Sequence, residues 1–228
     1  PLMNGAPDYT KRRFDRAQKE FNALQNRLEN VDTTNWPIYY QVDWWIVRAE
    51  MNGYDFNHRV LRPWVRDPAF YQTIWMYQSD VPAHEGPTNH GVLEFWMFDF
   101  PLNNDRAKDL ADQLKTIPNF LFQAKGNLTG NARDLWVAGI ENFKEQADNL
   151  EAIRKKVKKH HGKSLDGLLS APLKNAKEAN DDFIKWLEQK APTKNGPSGI
   201  GKENYTWYQK NVHLVPLSWE EEVSLLQR

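Results

Sequence analysis

Cysteine is absent from the 228 residues, so no disulfide staples this chain and no thiolate can bind a metal. That absence does not choose between a reducing and an oxidising compartment. No apolar run approaches the roughly 20 residues that a membrane-spanning helix requires. Neither sign of charge is in excess: Lys plus Arg number 30 and Asp plus Glu number 30. A nucleic-acid binder, or a protein drawn to anionic membranes, carries a basic surplus instead. The first residue is Pro1 rather than Met and no signal peptide follows. The expectation is a cut or processed chain, from which any export signal has gone. No internal repeat, Gly-x-Ser-x-Gly elbow or Walker loop occurs. Gly196-Pro197-Ser198-Gly199-Ile200-Gly201 is glycine-rich, but Pro197 is wrong for a phosphate cradle.

What is present is aromatic and helical. The chain holds 10 Trp, 11 Phe and 8 Tyr, enough apolar area for a core despite a mean hydropathy of -0.78. From Asp8 to Val31, residues Phe14, Ala17, Phe21, Leu24, Leu28 and Val31 recur at three- and four-residue steps and predict an amphipathic helix. A second helix is predicted from Trp36-Pro37 to Asn52-Gly53, with Ile38, Val42, Trp45, Ile46 and Ala49 on its buried side. The proline dipeptides Arg62-Pro63 and Asp67-Pro68 interrupt helix. Around them, short helices are predicted near Phe56–Leu61 and Pro68–Gln78, a loop over Pro82–Gly91, and a helical turn over Val92–Phe100 in preference to a strand.

Further on, Asn103 or Asn104 caps a helix to Thr116, and Pro118 opens another to Asn127. A long helix follows to His160, with Trp136, Ile140, Phe143, Ala147, Leu150, Ile153 and Val157 inward, and Gly162 stops it. Leu165–Lys190 is next, with Leu168, Leu169, Ala176, Phe183, Ile184 and Leu187 inward. Residues 192–201 read as an exposed linker and Lys202–Asn211 as a short helix. Ser218 and Glu221 form a capping box that opens a last helix, which has no stop signal before Arg228. Helices this close in sequence predict an all-α, elongated multi-helix bundle with a proline-rich irregular segment near 54–102.

Candidate chemistry is sparse. His84-Glu85-Gly86-Pro87-Thr88-Asn89-His90 has the residue types of a zinc hydrolase site. Its histidines are six residues apart, about 600° around a helix, so they would not share a helical face. A polar loop is the simpler reading, and His84, Glu85 and His90 remain the metal candidates. The cluster from Arg154 to His161 complements a helix C-terminus; His58 and His213 read as structural. The carboxylates alternate with basic residues on helical faces, so no catalytic residue is assigned. The density of aromatics between Trp36 and Tyr77 reads first as core packing. Its functional alternative is a groove for a peptide, with Trp44, Trp64, Tyr71 and Trp75 as lining candidates. Asn127-Leu128-Thr129 and Asn204-Tyr205-Thr206 match the glycosylation pattern.

Several stretches resemble the bacterial domain-of-unknown-function 885 family. They are Arg62-Pro63-Trp64, Arg66-Asp67-Pro68-Ala69-Phe70-Tyr71, the segment Leu114–Leu128 with its Ile117-Pro118 pair, Asn131-Ala132-Arg133-Asp134-Leu135-Trp136, and Gly201…Tyr205…Pro216…Ser218…Glu221. The resemblance covers most of the chain, and its motifs are structural. It implies a bacterial, helical, zinc-metallopeptidase-related protein whose His-Glu…Gly-His-His signature lies in a later half that this sequence does not contain. The glycosylation matches would then be incidental, and export or a periplasmic location would fit.

By that resemblance, the chain is the non-catalytic helical N-terminal part of a peptidase-like hydrolase. It would form one wall of a substrate groove, without a cofactor of its own. Its partners would be the missing C-terminal half, which would hold zinc, and a peptide substrate; no nucleic acid and no membrane span is expected. Two alternatives stand beside it: a stand-alone helical module gripping a ligand or peptide in an aromatic-rich groove, and a scaffold that only packs against a partner.

Overall fold

The computed structural model describes residues 2–3, 6–78 and 93–228. The described chain is all-α: α1 (Lys11–Glu29), α2 (Ile38–Phe56), α3 (Pro63–Arg66), α4 (Asn104–Asn127), α5 (Arg133–His161), α6 (Asp166–Lys190), α7 (Lys202–Asn211) and α8 (Trp219–Leu226). Strand is confined to two-residue pairs. Leu2–Met3 (β1) lies antiparallel to Ala6–Pro7 (β2), and Ile74–Trp75 (β3) lies parallel to Leu93–Glu94 (β4). The chain divides into two compact units, one of residues 1–10 and 63–198, the other of 11–62 and 199–228. The third crossing between them, at Ser198 and Gly199, falls inside the predicted linker 192–201.

The larger unit is built on α4, α5 and α6, with α6 packed against both of the others. Most residues of the stripes read from sequence are its core, although Leu168 and Ile184 of α6 are only half-buried. Trp136, Ile140, Phe143, Leu150, Ile153 and Val157 of α5 are buried, as are Leu169, Ala176, Phe183 and Leu187 of α6. One member of the α5 stripe was misplaced. Ala147 is only half-buried, and Gln146 is fully buried in its stead. Its Oε1 accepts hydrogen bonds from Thr73 N (2.7 Å), Thr73 Oγ1 (3.2 Å) and Ile74 N (3.1 Å), and its Nε2 donates to Asn180 Oδ1 (2.9 Å). Asn180 Nδ2 in turn donates to the Phe143 carbonyl (3.0 Å). Two helices and the Thr73–Ile74 backbone thus close one buried polar network, in which each donor meets an acceptor.

Helix α4 runs unbroken through Pro118, where the sequence predicted two helices. An interior proline costs about 3 kcal/mol. Ile117, Phe120, Leu121 and Ala124 are all buried around it, and breaking the helix would expose that face. Pro172 is likewise inside α6 and buried. Asn103, one of the two predicted caps, accepts from Arg106 N (2.8 Å).

The irregular segment begins later than expected. Helix α2 passes through Gly53 to Phe56 and continues as a π-helix over Asn57–Leu61. It stops at Arg62, whose φ of 44° is left-handed because the following Pro63 disfavours the helical region. Pro68–Tyr71 is a 3₁₀ turn capped by Asp67, not a helix reaching Gln78. The predicted turn over 92–100 resolves into β4 and a 3₁₀ turn over Phe95–Met97, with Leu93, Phe95 and Phe98 buried. Residues 82–91 lie outside the described residues.

The predicted linker is fastened to its unit as far as Ser198. Ala132 bridges Gly196, Asn131 holds Asn195 through both its amide atoms, and Arg66 Nη2 donates to the Ser198 carbonyl (3.0 Å). Lys194 Nζ sits 4.1 Å above the Trp136 ring and donates to the Gly130 carbonyl (2.8 Å). Burial pushes the Lys194 amine below its usual range.

In the smaller unit, α1 and α2 form an antiparallel hairpin. Phe14 lies near His58, Phe21 near Tyr54, Gln25 near Asn52, and the Leu28 carbonyl accepts from Trp44 Nε1 (3.1 Å). The C-terminal half of α2 also meets α7. Phe56 stacks on Trp207 at 5.6 Å and meets Tyr208 at 4.8 Å, and Asn52 Nδ2 donates to the Asn211 carbonyl (3.0 Å). The capping box of α8 is formed with both its hydrogen bonds.

Candidate functional site

Two of the four aromatic groove candidates are core residues. Tyr71 is fully buried. Its hydroxyl donates to the Trp64 carbonyl (2.9 Å) and accepts from Asn127 Nδ2 (2.9 Å), while its ring packs with Tyr9, Phe70 and Phe120. Burial pushes the Tyr71 phenol well above the usual tyrosine range. Trp64 is buried as well. Both are therefore core, and neither offers a ring face to a ligand. Trp75 is exposed on β3. Trp44 belongs to the other unit, half-buried against α1 by its bond to Leu28.

The metal candidates His84, Glu85 and His90 lie outside the described residues. Among the described residues, no three His, Asp or Glu side chains are placed to hold a metal ion. His161, expected to complement the helix dipole, instead accepts from Leu102 N at Nε2 (2.9 Å). Lys156 lies over the Phe95 and Phe100 rings at 5.2 and 4.6 Å. Asn127 Nδ2 donates to the Tyr9 carbonyl (2.6 Å) and to the Tyr71 hydroxyl (2.9 Å). Among the described residues no helix is long and apolar enough to cross a membrane.

The surface that stands out is the N-terminal half of α2. Ile38, Val42, Trp45 and Ile46, predicted to be buried, are exposed, at 73%, 49%, 48% and 50%. Of the predicted buried side only Ala49 is covered. The reason lies in the reach of the neighbours. The stripe carrying Ala49, Asn52 and Phe56 is the one that meets α7. Its continuation through Trp45, Val42 and Ile38 runs past those contacts, and α1 meets α2 only as far as Trp44. Tyr39, Tyr40 and Val47 are exposed on the remaining sides. This half-helix is thus apolar nearly all round, a pattern that belongs to buried helices, yet it stands in water. Arg48 lies over the Trp44 and Trp45 rings at 5.7 and 5.3 Å, and the two rings meet edge to face at 5.1 Å. The signal was present in the sequence, since apolar residues occupy every side of the helix from 38 to 47; periodicity marked one side as core and could not say whether anything covered it.

At the far end of the hairpin, His58 stacks on Tyr54 at 4.4 Å and its Nδ1 lies 3.2 Å from the Tyr54 carbonyl. Burial holds the imidazole below the ordinary histidine range, against the opposing pull of the Tyr54 carbonyl and of Asp55. A folded value below the unfolded one means that the unfolded chain takes the proton first as pH falls. The associated stability is complete above the ordinary histidine pKa and is lost as pH falls through the folded value. Thermal melts of the wild type and of His58→Phe are expected to converge on acidification, the wild type losing more between neutral and mildly acidic pH. Parallel pH profiles would refute this.

The fold and this surface define the class: an all-α protein with a bare apolar helix face among its described residues. Compared with known families, curated proteins and solved structures, the chain matches none of them.

Proposed function

We propose that this chain is a non-catalytic helical module that binds a second polypeptide through the N-terminal half of α2. The observation that supports this is the apolar, aromatic half-helix held in water. An aromatic side chain carries about 150–250 Å², so seven apolar side chains at roughly half exposure offer on the order of 700 Å². That exceeds the patch of a few hundred Å² found on an ordinary monomer and approaches the ~800 Å² that each partner gives to a standard interface. Because the apolar residues surround the helix, the fitting partner is one that clasps it in an apolar groove. Following the resemblance of Arg62–Tyr71 and Leu114–Leu128, that partner is the zinc-bearing half of a peptidase-like hydrolase, and this chain is one wall of its substrate groove.

Mixed with the zinc-bearing half of a domain-of-unknown-function 885 protein, the chain is expected to form a 1:1 complex with zinc-dependent peptidase activity. Ile38→Asp with Ile46→Asp is expected to weaken that complex about a hundredfold, roughly 2.7 kcal/mol. Its melting temperature should hardly move, since both side chains already face water. Failure of the wild type to form the complex, or peptide hydrolysis by the chain by itself, overturns the proposal. The stand-alone alternative rests on the exposed Trp45 beside Tyr39 and Tyr40. It would show instead as saturable, micromolar quenching of tryptophan fluorescence by peptides.

A further inference from the structure

A cleft of about 430 Å³ opens between α5 and α6 at the end where Gly162 and Lys163 join them. It lies wholly within the larger unit and is separate from the α2 face. Its floor is aliphatic: Leu150 and Val157 from α5, Leu169 and Leu173 from α6. From Leu150 to Val157 the floor runs about 10 Å along the helix.

The rim has the opposite character. Five cationic side chains line it, Arg154, Lys158, Lys163, Lys174 and Lys177, against the two carboxylates of Glu151 and Asp166. Their methylene stems extend the apolar wall upward while the charged heads stay in water. Three of the five are already engaged. Arg154 grips Glu151 with two bonds of 2.7 Å, which neutralises that carboxylate and holds it below the usual range. Lys177 pairs with Asp181 and Lys174 with Glu178, both outside the cleft. Lys158 and Lys163 make no ion pair among the described residues. Both stand at the joined end, beside the start of α6, where Leu165 provides no side-chain cap. With Asp166 at the same end, Lys158 and Lys163 leave a net surplus of one positive charge there, at one end of an aliphatic trough.

We propose that this cleft binds an aliphatic anion: a short hydrocarbon chain lying on Leu150, Val157, Leu169 and Leu173, with its carboxylate or phosphate held between Lys158 and Lys163. An aliphatic floor suits a flexible chain better than a planar ring, and cations at one end fix the direction in which the chain lies. The ligand can arrive free in solution or be drawn from a lipid surface, since both present the same chemistry to the site.

Calorimetric titration of the full chain with octanoate and octyl phosphate tests this. Saturable 1:1 binding is expected for both, with octanol at least about tenfold weaker because it lacks the charge, and butyrate weaker still because it lacks the chain. Lys158→Gln with Lys163→Gln is expected to weaken octanoate binding about tenfold, or 1.4 kcal/mol. Both lysines are exposed, so this variant should fold. Ser170→Phe, an exposed lining position on α6, should block the cleft, while Ile46→Asp should leave binding unchanged. Co-sedimentation with phosphatidylglycerol vesicles, lost in the lysine variant, would assign a lipid source; octanoate binding without co-sedimentation would assign a free one. No saturable binding up to about 1 mM octanoate, equal affinity for octanol, or undiminished binding by the lysine and Ser170 variants would overturn the proposal. None of these outcomes bears on the α2 face.

Discussion

Gln146→Leu is expected to destabilise the larger unit by about 3–5 kcal/mol, although it adds apolar surface to a buried site. Leucine nearly matches glutamine in size, so the cavity contribution is small. The cost comes from the partners left behind. The N–H groups of Thr73 and Ile74 and the Oδ1 of Asn180 would each lose a bond inside the core. An orphaned buried polar group costs about 1–3 kcal/mol, and no water has room to replace a fully buried side chain without opening the packing. At about 2–4 °C per kcal/mol for a domain of this size, the unfolding midpoint of the larger unit should fall by roughly 10 °C. Differential scanning calorimetry that resolves the two units reads this directly. A midpoint within a degree or two of wild type would mean that the network of Gln146, Asn180 and Thr73 does not hold the core together.

Phe143→Ala is expected to cost about 3–5 kcal/mol by a different route, the cavity left by a buried ring. Phe143 is fully buried and meets Phe183 edge to face at 4.6 Å; Phe183 stacks on Trp186 at 5.6 Å, which in turn packs on Trp136. The rings bridge α5 and α6, so the loss should appear in the same calorimetric transition as that of Gln146→Leu. The paired variant Phe143→Ala with Phe183→Ala should lose less than the sum of the single losses, because both empty the same space. Strict additivity would show that the two rings do not act as one packed unit.

Helix positions in α5 and α6 could be read from residue spacing because those helices are amphipathic, and the end of α5 and the start of α8 carry local signals. Gly162 and the Ser218–Glu221 capping box act within a turn of themselves, so no distant residue is needed to recognise them. Gln146 shows where that reading failed. Phe143, Ala147 and Leu150 are spaced four then three, while Phe143, Gln146 and Leu150 are spaced three then four, and both fit one helical face. Apolarity favoured Ala147. Only the arrival of the Thr73–Ile74 backbone and Asn180 at that face explains why a polar side chain was buried. Pro118 failed for a related reason: a local breaker signal of a few kcal/mol is outweighed when the residues on both sides are buried by another helix.

The aromatic candidates divide in the same way. Nothing local distinguishes Tyr71, whose hydroxyl is satisfied inside the core by Trp64 and Asn127, from Tyr39, which stands in water. Residue order determined that this chain is helical, where most of its helices begin and end, and which faces of α5 and α6 are apolar, because periodicity and capping are properties of neighbouring residues. Tertiary structure decided which apolar faces are covered, leaving that of α2 from Ile38 to Val47 bare, and where the cations of α5 and α6 meet over an aliphatic floor. Covering a face requires a second element of sufficient reach, and how far one helix reaches along another is set by packing rather than by the residues of either helix.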